Sequence, residues 1–124
     1  MDWQDKKILI AEDEEYNFFY LSEVLSETKV FIIHAKNGKE AVDIMKNSEI
    51  DVILMDIRMP QLNGIDATRE IRTFNKEVPI IAHTAYAFTE DRNKCLNAGC
   101  NHYLPKPVKK DDLFKILHTF LNHS

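Results

Sequence analysis

The stretch Asp51-Val52-Ile53-Leu54-Met55-Asp56-Ile57-Arg58-Met59-Pro60 limits the fold more than any other. Four apolar residues in a row, Val52 to Met55, run into a single carboxylate. Met59-Pro60 stops the run, because proline donates no ladder hydrogen bond and restricts the residue before it. The run is too short for an ordinary helix. It reads as a strand buried on both faces, as in a parallel sheet, although periodicity alone does not exclude a buried helix segment. Asp56 then stands at the carboxyl end of a central strand, where open α/β sheets place ligands and chemistry.

The rest of the chain repeats that pattern. Apolar runs at 6–11, 30–34, 78–83 and 102–104 read as further strands. Between them lie helical patterns at about 15–27 (Phe18, Leu21, Leu25 inward), 38–48 (Ala41, Ile44, Met45, Ser48 inward), 65–74 (Ala67, Ile71, Phe74 inward) and from Thr89 to the turn at Gly99. The last helix, about 110–121, carries the stripe Leu113, Ile116, Leu117, Phe120, Leu121. Asp13 or Glu14 is the expected cap of the first helix, Asn37 with Glu40 reaching back that of the second, and Thr89 that of the fourth. Gly99 suits a left-handed helix terminus. Five strand–helix units predict an α/β, doubly wound (βα)5 fold of flavodoxin-like type. A five-stranded parallel sheet of order 2-1-3-4-5 then has helices on both faces. Residues 7–122 form the domain, and 1–6 read as an extension or linker remnant.

Size and charge narrow the function. A chain of 124 residues fits one domain with a single core. A net charge of -4 argues against a nucleic-acid face, which needs clustered Lys and Arg. No run reaches membrane-span length and the N-terminus lacks a signal-peptide core, so the expectation is a cytoplasmic protein without membrane contact. Cys95 and Cys100 read as two small buried thiols, not a disulfide framework or metal site.

The strand ends carry the chemistry. Glu12 and Asp13 follow the first strand, Asp56 the third, Thr84 the fourth and Lys106 the fifth. In the 2-1-3-4-5 order the first and third strands are neighbours at the switch point, so three carboxylates are expected to meet there. Crowded like charges need compensation. Mg2+ takes oxygen ligands, Lys106 adds a point charge and Thr84 offers a hydroxyl. A carboxylate so placed is a phosphoryl acceptor whose product is an acyl phosphate on Asp56.

These segments together resemble the receiver domain of two-component response regulators, over roughly residues 7–121. They are Ile8-Leu9-Ile10-Ala11-Glu12-Asp13, Leu54-Met55-Asp56-Ile57-Arg58-Met59-Pro60, Asn63-Gly64, Ile80-Ile81-Ala82-His83-Thr84-Ala85 and Tyr103-Leu104-Pro105-Lys106-Pro107. The resemblance implies Asp56 as phosphoacceptor and Mg2+ held by Asp13, Asp56 and the Arg58 backbone carbonyl, with Glu12 acting through water. It implies Lys106 pairing with the phosphoryl group before a cis Pro107. Thr84 and Tyr103 become a coupled switch that alters the face of the fourth helix, fifth strand and fifth helix. The implied partner is a histidine kinase or histidine-phosphotransfer domain, and the same face leaves a homodimer open. Arg58 and Tyr86 are bulky at positions that tune water access, so slow self-dephosphorylation is expected. His83 and His102 depart from the family pattern, and neither is expected to touch the chemistry.

The rivals are weaker. An aspartyl-phosphate phosphohydrolase needs an acid two residues after its nucleophile, where Arg58 stands. A flavodoxin-like cofactor binder needs a glycine-rich loop where this chain has acids. A degenerate docking module has no use for so complete a set. The chain is therefore expected to be a switch that catalyses only its own phosphorylation and dephosphorylation, either stand-alone or the receiver of a hybrid sensor kinase, with the stretch 80–107 favouring the hybrid.

Overall fold

The computed structural model describes residues 2–85 and 89–122. Strands β1 (Lys7–Ala11), β2 (Phe31–Ala35), β3 (Val52–Asp56), β4 (Ile80–Thr84) and β5 (His102–Pro105) alternate with helices α1 (Glu15–Leu25), α2 (Gly38–Asn47), α3 (Gly64–Arg72), α4 (Thr89–Ala98) and α5 (Lys110–Leu121). All strand pairs are parallel, in the order β2-β1-β3-β4-β5 expected from the sequence. β3 and β4 are buried along their whole length, which is why their sequences are unbroken apolar runs, whereas edge strand β2 is half exposed.

Two apolar clusters fill the two faces. Leu9, Ile53, Met55, Ile80 and Ala82 pack against Ala41, Met45, Ala67, Ile71 and Cys95 of α2, α3 and α4. Ile8, Ile10, Leu54 and Ile81 pack against Leu21, Leu25, Leu113, Leu117 and Leu121 of α1 and α5. Both cysteines are buried and free, as expected.

Several local expectations are corrected. The first helix ends at Leu25, and Ser26–Thr28 tighten into a 3-10 turn. Neither Asp13 nor Glu14 caps α1 with its side chain. The Glu14 amide instead donates to Glu12 Oε2 at 3.2 Å. In α2, Val42 is buried where Ser48 was expected, and Ser48 is exposed beyond the helix end. Helix α3 stops at Arg72, so Phe74 falls past the periodic face and stays 42% exposed. The α2 cap is present: the Glu40 amide donates to Asn37 Oδ1 at 2.8 Å. Glu40 reaches one residue further back than a capping box, accepting from the Lys36 amide at 2.8 Å. Thr89 is the first residue of α4, so the proposed cap residue is already helical. Gly99 has φ +120, as a helix-terminating glycine requires.

The segment before β1 is packed onto the domain. Trp3 is buried, its amide donates to Thr28 O at 2.7 Å, and its indole Nε1 donates to Asn122 Oδ1 at 2.7 Å. An edge-on contact with Phe114 completes the site.

Candidate functional site

Each polar strand-end residue lies at the carboxyl edge of the sheet. Alternation along β3 turns Asp56 to the same face as Leu54, beneath α1 and α5. Glu12 lies one residue beyond β1 and is fully buried, and Asp56 is 3% exposed. The Lys106 ammonium reaches across from the end of β5. Its Nζ lies 2.8 Å from Glu12 Oε1 and 3.1 Å from Asp56 Oδ2. The Arg58 amide donates to Asp56 Oδ1 at 3.3 Å. The Lys106-Pro107 bond is cis.

The electrostatics follow from two acids and one base in a buried place. Burial raises the Glu12 pKa to about 7, with the nearby Asp56 adding to the rise and Lys106 opposing it. Burial also raises Asp56, against the pull of Lys106 and the Arg58 amide. Burial works against the Lys106 charge, but the two carboxylates outweigh it and hold its pKa above the usual lysine value. Two carboxylates facing one ammonium leave a net negative charge on oxygen donors. That is the donor set a hard dication such as Mg2+ fits, and the residues that would hold it are Asp56 and Glu12 with Asp13 beside them.

The three acids do not converge equally. Among the described residues the converging group, with ligand atoms within 4.8 Å of one another, is Glu12, Asp56 and His83. Asp13 lies outside it and is exposed. His83, expected to stand apart from the chemistry, is 1% exposed with Nδ1 4.0 Å from Glu12 Oε1. Sequence reasoning missed it, although its register partner on β3 is Asp56.

Thr84 is buried and falls, by alternation, on the face of Ala82 and Tyr103. Tyr103 is half-buried against the α2–α4 cluster, and burial, with Cys95 and Asp91 nearby, raises its phenol to about 12. The Arg58 side chain extends toward α4, 3.6 Å from Asp91. Tyr86, the other residue expected to govern water access, lies outside the described residues. His102 is exposed on β5, away from the acids.

The comparisons with known proteins agree with this architecture. The family model described as the response regulator receiver domain matches residues 8–118. The chain belongs to that family, and it is a receiver domain of two-component signalling. It is 45% identical over 113 residues to hybrid signal transduction histidine kinase H of Dictyostelium discoideum, covering 86% of this chain and 8% of that one. It is 29% identical to the polar-differentiation response regulator DivK of Brucella anthropi, covering 94% and 96%. The chain spans only 4–8% of the four Dictyostelium hybrid kinases it matches. Among solved structures, it resembles the receiver domain of a Pseudomonas aeruginosa sensor histidine kinase with a magnesium ion in its active-site cleft. The TM-score is 0.88 at 39% identity, covering 95% and 98% of the two chains. It also resembles the Saccharomyces cerevisiae receiver of Ssk1, solved with the histidine phosphotransfer protein Ypd1. The TM-score there is 0.87 at 37% identity, covering 94% and 88%. Among the described residues, no helix is long and apolar enough to cross a membrane.

Proposed function

We propose that the chain accepts a phosphoryl group from a phosphohistidine onto Asp56 in the presence of Mg2+, and that this alters its partner-binding face. One observation carries the reading: a buried Asp56 carboxylate at the switch point, held between the Lys106 ammonium at 3.1 Å and the Arg58 amide at 3.3 Å. An Asp56 oxygen attacks phosphorus, the P–N bond breaks, and its electron pair stays on the donor imidazole. Lys106 neutralises charge on the transferring group, and the buried surroundings strengthen that attraction. When bound, Mg2+ supplies further neutralisation of the phosphoryl oxygens. Asp13, Asp56 and the Arg58 backbone carbonyl would hold it, with Glu12 acting through water.

The partner is a histidine kinase or histidine-phosphotransfer domain. The rim of the site favours a protein donor: Tyr16 is 83% and Phe19 62% exposed on α1. Tyr16 lines a cleft of about 240 Å³ together with Glu12, Tyr20, His83, Lys106 and Val108, and Phe19 follows three residues later on the same helix. A phosphotransfer assay tests the reading. A phosphorylated histidine-phosphotransfer domain should lose its label to this chain but not to Asp56→Asn. Phe19→Ala should slow that transfer while leaving phosphorylation by a small-molecule donor unchanged. Transfer to Asp56→Asn at the native rate would refute it.

A further inference from the structure

On the three central strands, one row of the sheet turns polar where the row beneath it is apolar. Ile10, Leu54 and Ile81 stand side by side across β1, β3 and β4 and share one core cluster. Two residues further along each strand, alternation places Glu12, Asp56 and His83 on that same face. All three are buried, and Asp56, the shortest, lies between the other two. Glu12 and His83 therefore reach toward each other over it, to 4.0 Å. Neither ring nitrogen of His83 has a hydrogen-bond partner. Leaving a buried imidazole unsatisfied is costly, and an ion is one thing that relieves it. A neutral imidazole without a hydrogen-bond acceptor role already filled keeps a lone pair for a cation.

We infer that Glu12, Asp56 and His83 form a nitrogen-containing site for a transition-metal dication of the Co2+, Ni2+ and Zn2+ class, which takes the place of the Lys106 ammonium. The ammonium now sits on the same two carboxylates, 2.8 and 3.1 Å away. With the ammonium displaced, the two carboxylates carry the two negative charges that a dication would cancel. An imidazole ligand selects this class of cation over Mg2+, which prefers oxygen. Ligands about 2.1 Å from one tetrahedral ion stand roughly 3.4 Å apart, so the three atoms must draw in by about 1 Å. Lys106 is 16% exposed on a flexible stem and can leave toward solvent. The consequence for signalling rests on Asp56 being the phosphoacceptor: a cation held here removes Lys106 from the reaction and occupies the carboxylate, so it opposes phosphorylation.

The test is calorimetric titration of the chain with Co2+ and with Mg2+, native against His83→Val, together with proton NMR of the Co2+ complex. Valine is apolar and β-branched and suits a buried strand. The native chain should bind Co2+ at least tenfold more tightly than His83→Val, with Mg2+ affinities within twofold. It should also show a hyperfine-shifted imidazole N–H signal absent from the variant. Glu12→Gln, which keeps His83, should lose the same signal. Equal Co2+ affinities, or an imidazole signal that survives in His83→Val and so comes from a surface histidine, would overturn the site. None of these readouts involves phosphorylation, so their failure is distinct from failure of the phosphotransfer assay.

Discussion

At the scale of single residues, His83 and Glu12 make the centre respond to pH in opposite ways. His83 has a folded pKa of about 3 against an ordinary 6.5, so between those values the unfolded chain binds the extra proton. Its contribution to stability is complete above pH 6.5 and is lost as pH falls toward 3. Glu12 has a folded pKa of about 7 against an ordinary 4.5, so there the folded chain holds the extra proton. Its contribution is complete below pH 4.5 and is lost as pH rises through 7. Urea unfolding of metal-free protein at pH 7.5 and pH 5 separates the two. On acidification His83→Val should gain more stability, or lose less, than the native chain, and parallel changes would show that His83 does not titrate as an acid-sensitive core group. Glu12, Asp56, Thr84 and Lys106 were legible in the sequence because each ends an apolar run. His83 was not, because a lone histidine within such a run looks like core, and its approach to Glu12 depends on the short Asp56 between them. Asp13 was expected inside the cluster, but it stands in the bend between β1 and α1, exposed and outside the converging group.

At the scale of elements, α3 is held close behind β3. The Gly64 amide donates to Ile57 O at 2.9 Å, and a Cβ at Gly64 would meet the Asp56 backbone oxygen at 2.1 Å. Backbone cannot rotate away as a side chain can. Gly64→Ala should therefore destabilise the fold by about 1–3 kcal/mol, the usual cost of overpacking, and shift the turn that orients Asp56. Denaturant unfolding measures the first effect and the rate of acyl phosphate formation the second; a variant native in both would remove this constraint. Strand positions and sheet order were legible because two-sided burial writes unbroken apolar runs. Helix ends were less so. Ser48 and Phe74 continued a helical spacing past residues where the backbone had already left the helix, and spacing does not record that departure. Trp3 lies outside any periodic pattern, so its docking on Asn122 and Phe114 is visible only in three dimensions.

At the scale of the whole molecule, the sheet separates two sets of site residues onto its two faces. The acids and Lys106 lie toward α1 and α5, while Thr84 and Tyr103 share the face packed by α4. Under the proposed function, a phosphoryl group on Asp56 would be reported across the sheet edge by Thr84. On that proposal, phosphorylation would bias two packings of α4 and β5 that differ by little free energy. Hydrogen exchange should show changed protection in α4 and β5 on phosphorylation, reduced in Thr84→Ala although the acyl phosphate still forms. A change of equal size in that variant would disconnect Thr84 from the response. The central claim is the acceptor itself, and intact-mass spectrometry after incubation with Mg2+ and a small-molecule phosphodonor tests it most directly. The native chain should gain one phosphoryl group that hydroxylamine removes, and Asp56→Asn should gain none; an equal adduct on both chains would place the phosphoryl group elsewhere and contradict the account.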